Sequence, residues 1–182
     1  ATGPVIFELA AEQLVEAGVL ARPHIRMVHV SHRPSERPTW QGVYGESIVR
    51  NPTRNHAIVE AVRTAEKPCL VFVKELRHGQ AILQALERAS LRAAFVHGAH
   101  SSEWRASAGK RLVTGALDAI VVTVVWQEGM DLPEVRSVVI ASGGRSVIAA
   151  LQKIGRGMRR TATKQEFDVV DVLDEGCGCR HG

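Results

Sequence analysis

Apolar residues recur along this chain in two rhythms, one of helical spacing and one of short unbroken runs, and the two alternate. From Phe7 to Ala17 apolar and polar positions exchange at helical spacing and stop at Gly18, a residue suited to a helix C-cap. His24 to Val30 alternates with the period of a half-buried strand, and Ser31 to Gly45, with its prolines and glycines, reads as a connecting loop. Asn51 to Ala65 predicts a helix with Pro52 in its first turn and Ile58, Val59 and Val62 facing inward. Cys69 to Val73 is apolar throughout and bounded by Pro68 and Lys74, the pattern of a strand covered on both faces. Helical spacing resumes over Leu76 to Ala89, a strand follows at Ala93 to Val96, and a helix at Ser102 to Val113 takes Ser101 or Ser102 as its N-cap. Ala119 to Val125, Val135 to Ala141 and Phe167 to Val172 supply further strands, with a helix expected behind Ser146.

Strand and helix thus alternate about five times, which predicts right-handed crossovers and an α/β fold, an open parallel sheet with helices on both faces. Ligands of such sheets sit beyond the carboxyl ends of the strands. Attention therefore falls on the residues directly after each one: Lys74-Glu75, His97-Gly98, Trp126 to Gly129, and Ser142 to Gly144. No internal repeat or low-complexity segment interrupts the series.

The chain has 182 residues, room for one well-buried domain and too little for two ordinary ones. Hydrophobic residues are 45% and charged residues 23%, and no apolar run is long enough to cross a bilayer, so a globular domain is expected and a membrane-spanning one is not. Three cysteines, Cys69, Cys177 and Cys179, form no disulfide framework and point to a reducing, cytoplasmic setting. Ala1 stands where a natural start would carry methionine, and the expectation is an excised domain. The C-terminal Cys177, Cys179 and His181 offer three metal-ligating side chains where a structural site needs four, so a flexible tail is expected and no metal site is assigned.

The net charge is +4, but its distribution is uneven. Between Val135 and Gln165 lie Arg136, Arg145, Lys153, Arg156, Arg159, Arg160 and Lys164 with no acid among them, a segment expected to attract phosphate. Within it, helical geometry of about 100° per residue puts Gln152, Arg156 and Arg159 on one stripe and turns Leu151, Ile154 and Met158 toward a core. Two guanidiniums in such a fork suit a polyphosphate, although a solvated basic face has the same composition. Trp40 and Tyr44 are read as packing residues, because no aromatics interleave with the basic ones.

Three features in fixed order carry a resemblance. A strand leads into His97-Gly98 with Glu103 and Arg105 downstream; Thr123, Glu128, Gly129, Asp131 and Pro133 follow the pattern T-x-x-x-x-E-G-x-D-x-P; and Gln152, Gly155, Arg156 and Arg159 follow Q-x-x-G-R-x-x-R. Over about Pro68 to Asp174 the chain resembles the C-terminal RecA-like domain of superfamily 2 helicases, and Leu70 to Leu86 is similar to motif IV of the branch that includes bacteriophage and repair-type DNA helicases. The resemblance implies a RecA-like helicase C-terminal domain over 51–174, an N-terminal appendage and hinge from a preceding motor domain over 1–50, and a flexible tail over 175–182. It implies Arg156 and Arg159 as catalytic arginine fingers toward ATP, with Gly129, Asp131 and Gln152 on the nucleotide. Lys74, His97, Gly98, Arg105 and Thr123 would face nucleic acid, DNA in the first place with RNA not excluded. Asp131 as a turn cap and Thr123 as a strand end are the plain alternatives.

The chain contains no G-x-x-x-x-G-K-[ST] loop and no Asp-Glu metal motif, so ATP and Mg2+ are expected to be held mainly by an N-terminal RecA-like domain of a longer protein. By itself the chain is expected to be inactive as an ATPase. The rival expectation is a non-catalytic module, derived from a helicase domain, that docks nucleic acid or protein.

Overall fold

A computed structural model describes residues 11–31, 35–123, 134–143, 160–161 and 164–175. Gly129, Asp131, Gln152, Arg156 and Arg159, the helix expected behind Ser146 and the C-terminal Cys177, Cys179 and His181 lie outside the described residues.

Six parallel strands form one sheet in the order β1-β6-β5-β2-β4-β3: β1 (Arg22–Ser31), β2 (Cys69–Val73), β3 (Ala93–Val96), β4 (Ala119–Thr123), β5 (Ser137–Ile140) and β6 (Glu166–Glu175). The helices are α1 (Ala11–Glu16), α2 (Trp40–Tyr44), α3 (Pro52–Thr64), α4 (Leu76–Arg88) and α5 (Ser102–Val113). Gly18 ends the first turn structure at φ +72°, as a C-capping glycine does.

Alternation along the buried strands sorts the core into two layers. Ile120, Val122, Val138, Ile140 and Val169 pack with Ala108 and Leu112 of α5 on one face. Val71, Val73, Val121, Val139, Val170 and Val172 pack with Ile58, Val59 and Val62 of α3 and with Ile82 and Leu86 of α4 on the other. Every residue of β4 and β5 is buried, which is why their sequences show no polar alternation. The expected RecA-like arrangement, a parallel sheet with helices on both faces, is therefore the observed one.

The segment read as a loop from Ser31 to Gly45 departs from that reading. Thr39 accepts a hydrogen bond from the Gly42 amide and caps α2, which runs directly into a π-helical turn over Gly45–Val49. Tyr44, Ile48 and Val49 form a small apolar cluster, and Tyr44 donates from its hydroxyl to the Ser142 carbonyl at 2.8 Å. The prolines and glycines do punctuate this stretch, but a contact to a residue about 100 positions away holds its last turn in a helix. Trp40 stays half-exposed, 6.1 Å from the Tyr44 ring.

Candidate nucleic-acid interface

Parallel pairing brings the carboxyl ends of all six strands to one edge. β2, β4 and β3 are neighbours, in that spatial order, so the residues at their ends form a row: Lys74 directly after β2, Thr123 ending β4, and His97-Gly98 directly after β3. Strands lie about 4.8 Å apart, so the row spans roughly 10 Å. Val73 pairs with Thr123 in register, which sets Lys74 beside the Thr123 position. Lys74 is exposed and its Nζ lies 5.6 Å from the centre of the Tyr44 ring. Gly98 is exposed, His97 half-buried, and Thr123 is buried. Arg105 sits half-buried in the first turns of α5.

The carboxyl end of β3 also carries a run of rings that the sequence reading did not assemble. Phe95 lies 5.1 Å from His97, His97 4.0 Å from His100, and His100 4.1 Å from Trp104, with the last pair only 17° from parallel. Ser101 is the N-cap of α5, accepting from the Trp104 amide at 3.2 Å, and the His97 amide approaches His100 Nδ1 at the same distance. Burial, then His97 and Arg105, lower the His100 pKa and favour its uncharged ring. Glu103 is held below the usual carboxylate range by hydrogen bonds from its own amide, Ser101 and Ser102. The spacing His97, His100, Trp104 was the available signal: three and four residues are the separations at which rings meet across a turn.

Beneath the other half of the edge lies a buried charged centre. Arg54, whose side chain is 0% exposed, donates from Nε to Asp174 Oδ1 at 2.7 Å, from Nη1 to the Ala141 carbonyl at 2.9 Å and from Nη2 to the Val172 carbonyl at 3.3 Å. Asn51 caps α3 through the Arg54 amide, so one helix N-terminus positions this guanidinium against the ends of β5 and β6. Burial raises the Asp171 carboxyl to about 6, against the lowering influence of Arg54. Burial, then Arg54, pushes the His78 ring down to about 3; neither of its nitrogens has a hydrogen-bond partner. Burial likewise raises the Tyr44 phenol.

The basic segment after Val135 is only partly a surface. Lys164 is buried, donating to the Val135 carbonyl at 3.0 Å with Nζ 5.4 Å from the Phe167 ring, and Arg136 pairs with Glu66 at 3.6 Å. Arg160 donates its amide to the Val19 carbonyl at 3.0 Å, and its guanidinium lies where a side chain on Gly18 would stand. Arg160 therefore sits near the amino-terminal ends of the strands, opposite the row of Lys74, Thr123 and His97. Among the described residues no cluster of His, Cys, Asp and Glu could hold a metal ion, and no helix is long and apolar enough to cross a membrane.

The helicase conserved C-terminal domain family matches residues 53–161. Rad25 of Halobacterium salinarum, whose name describes a DNA 3'-5' helicase, is 33% identical over 155 residues, which are 81% of this chain and 25% of that protein. The ATP-dependent DNA helicase uvsW of Enterobacteria phage T4 is 30% identical over 118 residues, 63% of this chain and 23% of uvsW. The solved structure of T4 UvsW superposes with a TM-score of 0.62 at 23% identity, covering 87% of this chain and 34% of that one. The E. coli DEAD-box protein SrmB, solved bound to regulator of ribonuclease activity A, superposes at a TM-score of 0.59 with 18% identity over 85% of this chain and 78% of that one. The chain thus spans about a quarter of the length of these curated relatives. The family match takes in more than half of the chain, and on that footing the protein belongs to the helicase conserved C-terminal domain family, the RecA-like C-terminal domain of superfamily 2 helicases.

Proposed function

We propose that the chain is the second motor domain of an ATP-dependent helicase or translocase acting on DNA. In this reading Arg156 and Arg159 reach toward ATP and Mg2+ held on an N-terminal RecA-like domain, with Gly129, Asp131 and Gln152 on the nucleotide. Charge builds on the transferred phosphoryl group, and a positioned arginine is worth on the order of 10³ to 10⁵ in rate. Lys74, His97, Gly98 and Arg105 hold the nucleic-acid backbone, with Thr123 between them.

The observation that carries the reading is the strand-end row. Lys74, Thr123 and His97-Gly98 are separated by 49 residues of chain at their extremes, yet they end three adjacent parallel strands on one edge. Ligands of open parallel sheets sit at that edge. Movement of the two motor domains on each ATP cycle would then ratchet a nucleic-acid backbone along that edge.

The test is Arg159→Ala in the longer protein. Nucleic-acid-stimulated ATP hydrolysis is expected to be lost while ATP binding stays nearly intact. Unchanged turnover removes the finger assignment and favours a docking module.

A further inference from the structure

We propose that the ring ladder at the carboxyl end of β3 is a base-stacking platform, on which the outer face of Trp104 receives one unpaired nucleobase of a single strand. The inference rests on the nucleic-acid reading of the strand-end row and adds to it a contact with a base rather than with the backbone.

The geometry points to a ring-shaped, uncharged ligand. His100 lies parallel to Trp104 within 17° at 4.1 Å and covers one face of the indole, yet Trp104 is still 40% exposed. The area left open is therefore the opposite face and the rim. Trp104 stands one turn before Ala108, on the stripe of α5 that packs against the sheet. β3 ends at Val96, and Trp104 joins the rings of His97 and His100 that follow it in the chain, exposed and outside the buried core. Its position is fixed before any ligand arrives: the Ser101 cap holds its amide, and the His97 amide holds the His100 ring beneath it. Little freedom remains to be lost on binding.

The local charges choose a base over a phosphate. Glu103, next to Trp104, accepts from Ser102 Oγ at 3.0 Å and is kept ionised, which repels a phosphate at this spot. His100 is biased toward its uncharged form and supplies no cation to offset that carboxylate. The backbone-binding cation is instead Arg105, one residue on, with Lys74 at the other end of the row. A strand laid along that edge has its phosphates toward Arg105 and Lys74 and one base free to turn onto Trp104. Stacking tolerates any base, because each has a π face, so the contact gives grip without sequence choice.

The experiment titrates the 182-residue chain, at low salt, with oligothymidylate of about 12 nucleotides, a length within the usual single-strand site range, and with an abasic chain of the same length. Fluorescence anisotropy reads affinity and tryptophan emission reads the ring. The expected result is a preference for the base-bearing strand of about 5- to 150-fold, the range for one stacked base, with tryptophan emission quenched by that strand and not by the abasic one. Trp104→Leu should abolish the preference and Trp104→Phe should keep most of it, both with unchanged far-UV circular dichroism. Binding of both strands without a preference overturns the platform and leaves the nucleic-acid interface standing, as does a preference that survives in Trp104→Leu. Failure of the chain to bind either strand overturns both readings and assigns the exposed ring to a protein contact.

Discussion

Arg54 has no water to share its charge with, and its five N–H donors must be satisfied from within the protein. Asp174 and the carbonyls of Ala141 and Val172 accept from three of them, one at each nitrogen, joining the N-terminus of α3 to the ends of β5 and β6. Removing one partner of such a pair strands the other, so Arg54→Ala is expected to lower stability by about 3–5 kcal/mol in chemical denaturation. Adding Asp174→Asn to that variant should recover part of the loss, since the stranded charge goes. The neighbouring titratable groups act in opposite pH windows. Asp171 is raised to about 6 when folded, above the unperturbed value of about 3.9, so its contribution is present below about pH 4 and lost as pH rises through 6. Asp171→Asn should therefore gain stability relative to the parent chain between pH 4 and 7, read by thermal unfolding across that range. His78 is lowered to about 3, so its contribution is present above about pH 6.5 and lost as pH falls toward 3. His78→Leu should flatten that acid branch. An identical slope below pH 6 in parent and variant would remove His78 as its cause.

At the scale of elements, α5 shows how a short polar signal positions a surface. Ser101 supplies the cap that the sequence allowed to either serine, and Ser101→Ala is expected to cost about 1 kcal/mol of stability. Glycine within α4 has a packing reason: a side chain on Gly79 would meet the Phe95 ring at 2.3 Å. Gly79→Ala should thus destabilise by about 1–3 kcal/mol despite alanine's better helix propensity, as urea denaturation would show. The core strands were legible because burial on both faces leaves unbroken apolar runs such as Cys69 to Val73 and Ala119 to Thr123. The order β2-β4-β3, and with it the row of Lys74, Thr123 and His97, was legible only as the statement that strand ends matter, because neighbour order is fixed by crossovers and not by local pattern. α2 and its π-helical continuation were missed for the same kind of reason. Their helicity depends on Tyr44 reaching Ser142 and on Ile48 lying against Gly143, partners far away in sequence. Arg54 was invisible because arginine by type belongs to the surface, and only the carbonyls and carboxylate gathered around it make burial tolerable.

For the molecule as a whole, the charge count overstates the surface that nucleic acid can meet. Lys164 is buried against Val135 and Phe167, and Arg136 is shared with Glu66, so two of the seven cations in the acid-free segment from Val135 to Gln165 are engaged within the fold. The strand-end row adds Lys74 and Arg105 at the opposite end of the strands from Arg160. A single-stranded ligand that follows the row should therefore meet few cations, on the order of two to four phosphate contacts. Each contact contributes about −0.7 to the slope of log affinity against log salt, which predicts an overall slope of roughly −1.4 to −2.8 for the isolated chain on single-stranded DNA. Lys74→Ala and Arg105→Ala should each reduce that slope by about 0.7, because each removes one condensed-ion release. Lys164→Met should leave the slope unchanged even if stability shifts, since the Lys164 ammonium lies against the Val135 carbonyl inside the fold. A slope insensitive to both Lys74→Ala and Arg105→Ala but reduced by Arg160→Ala would move the nucleic-acid surface to the amino-terminal ends of the strands, and the row of Lys74, Thr123 and His97 would lose its assigned ligand.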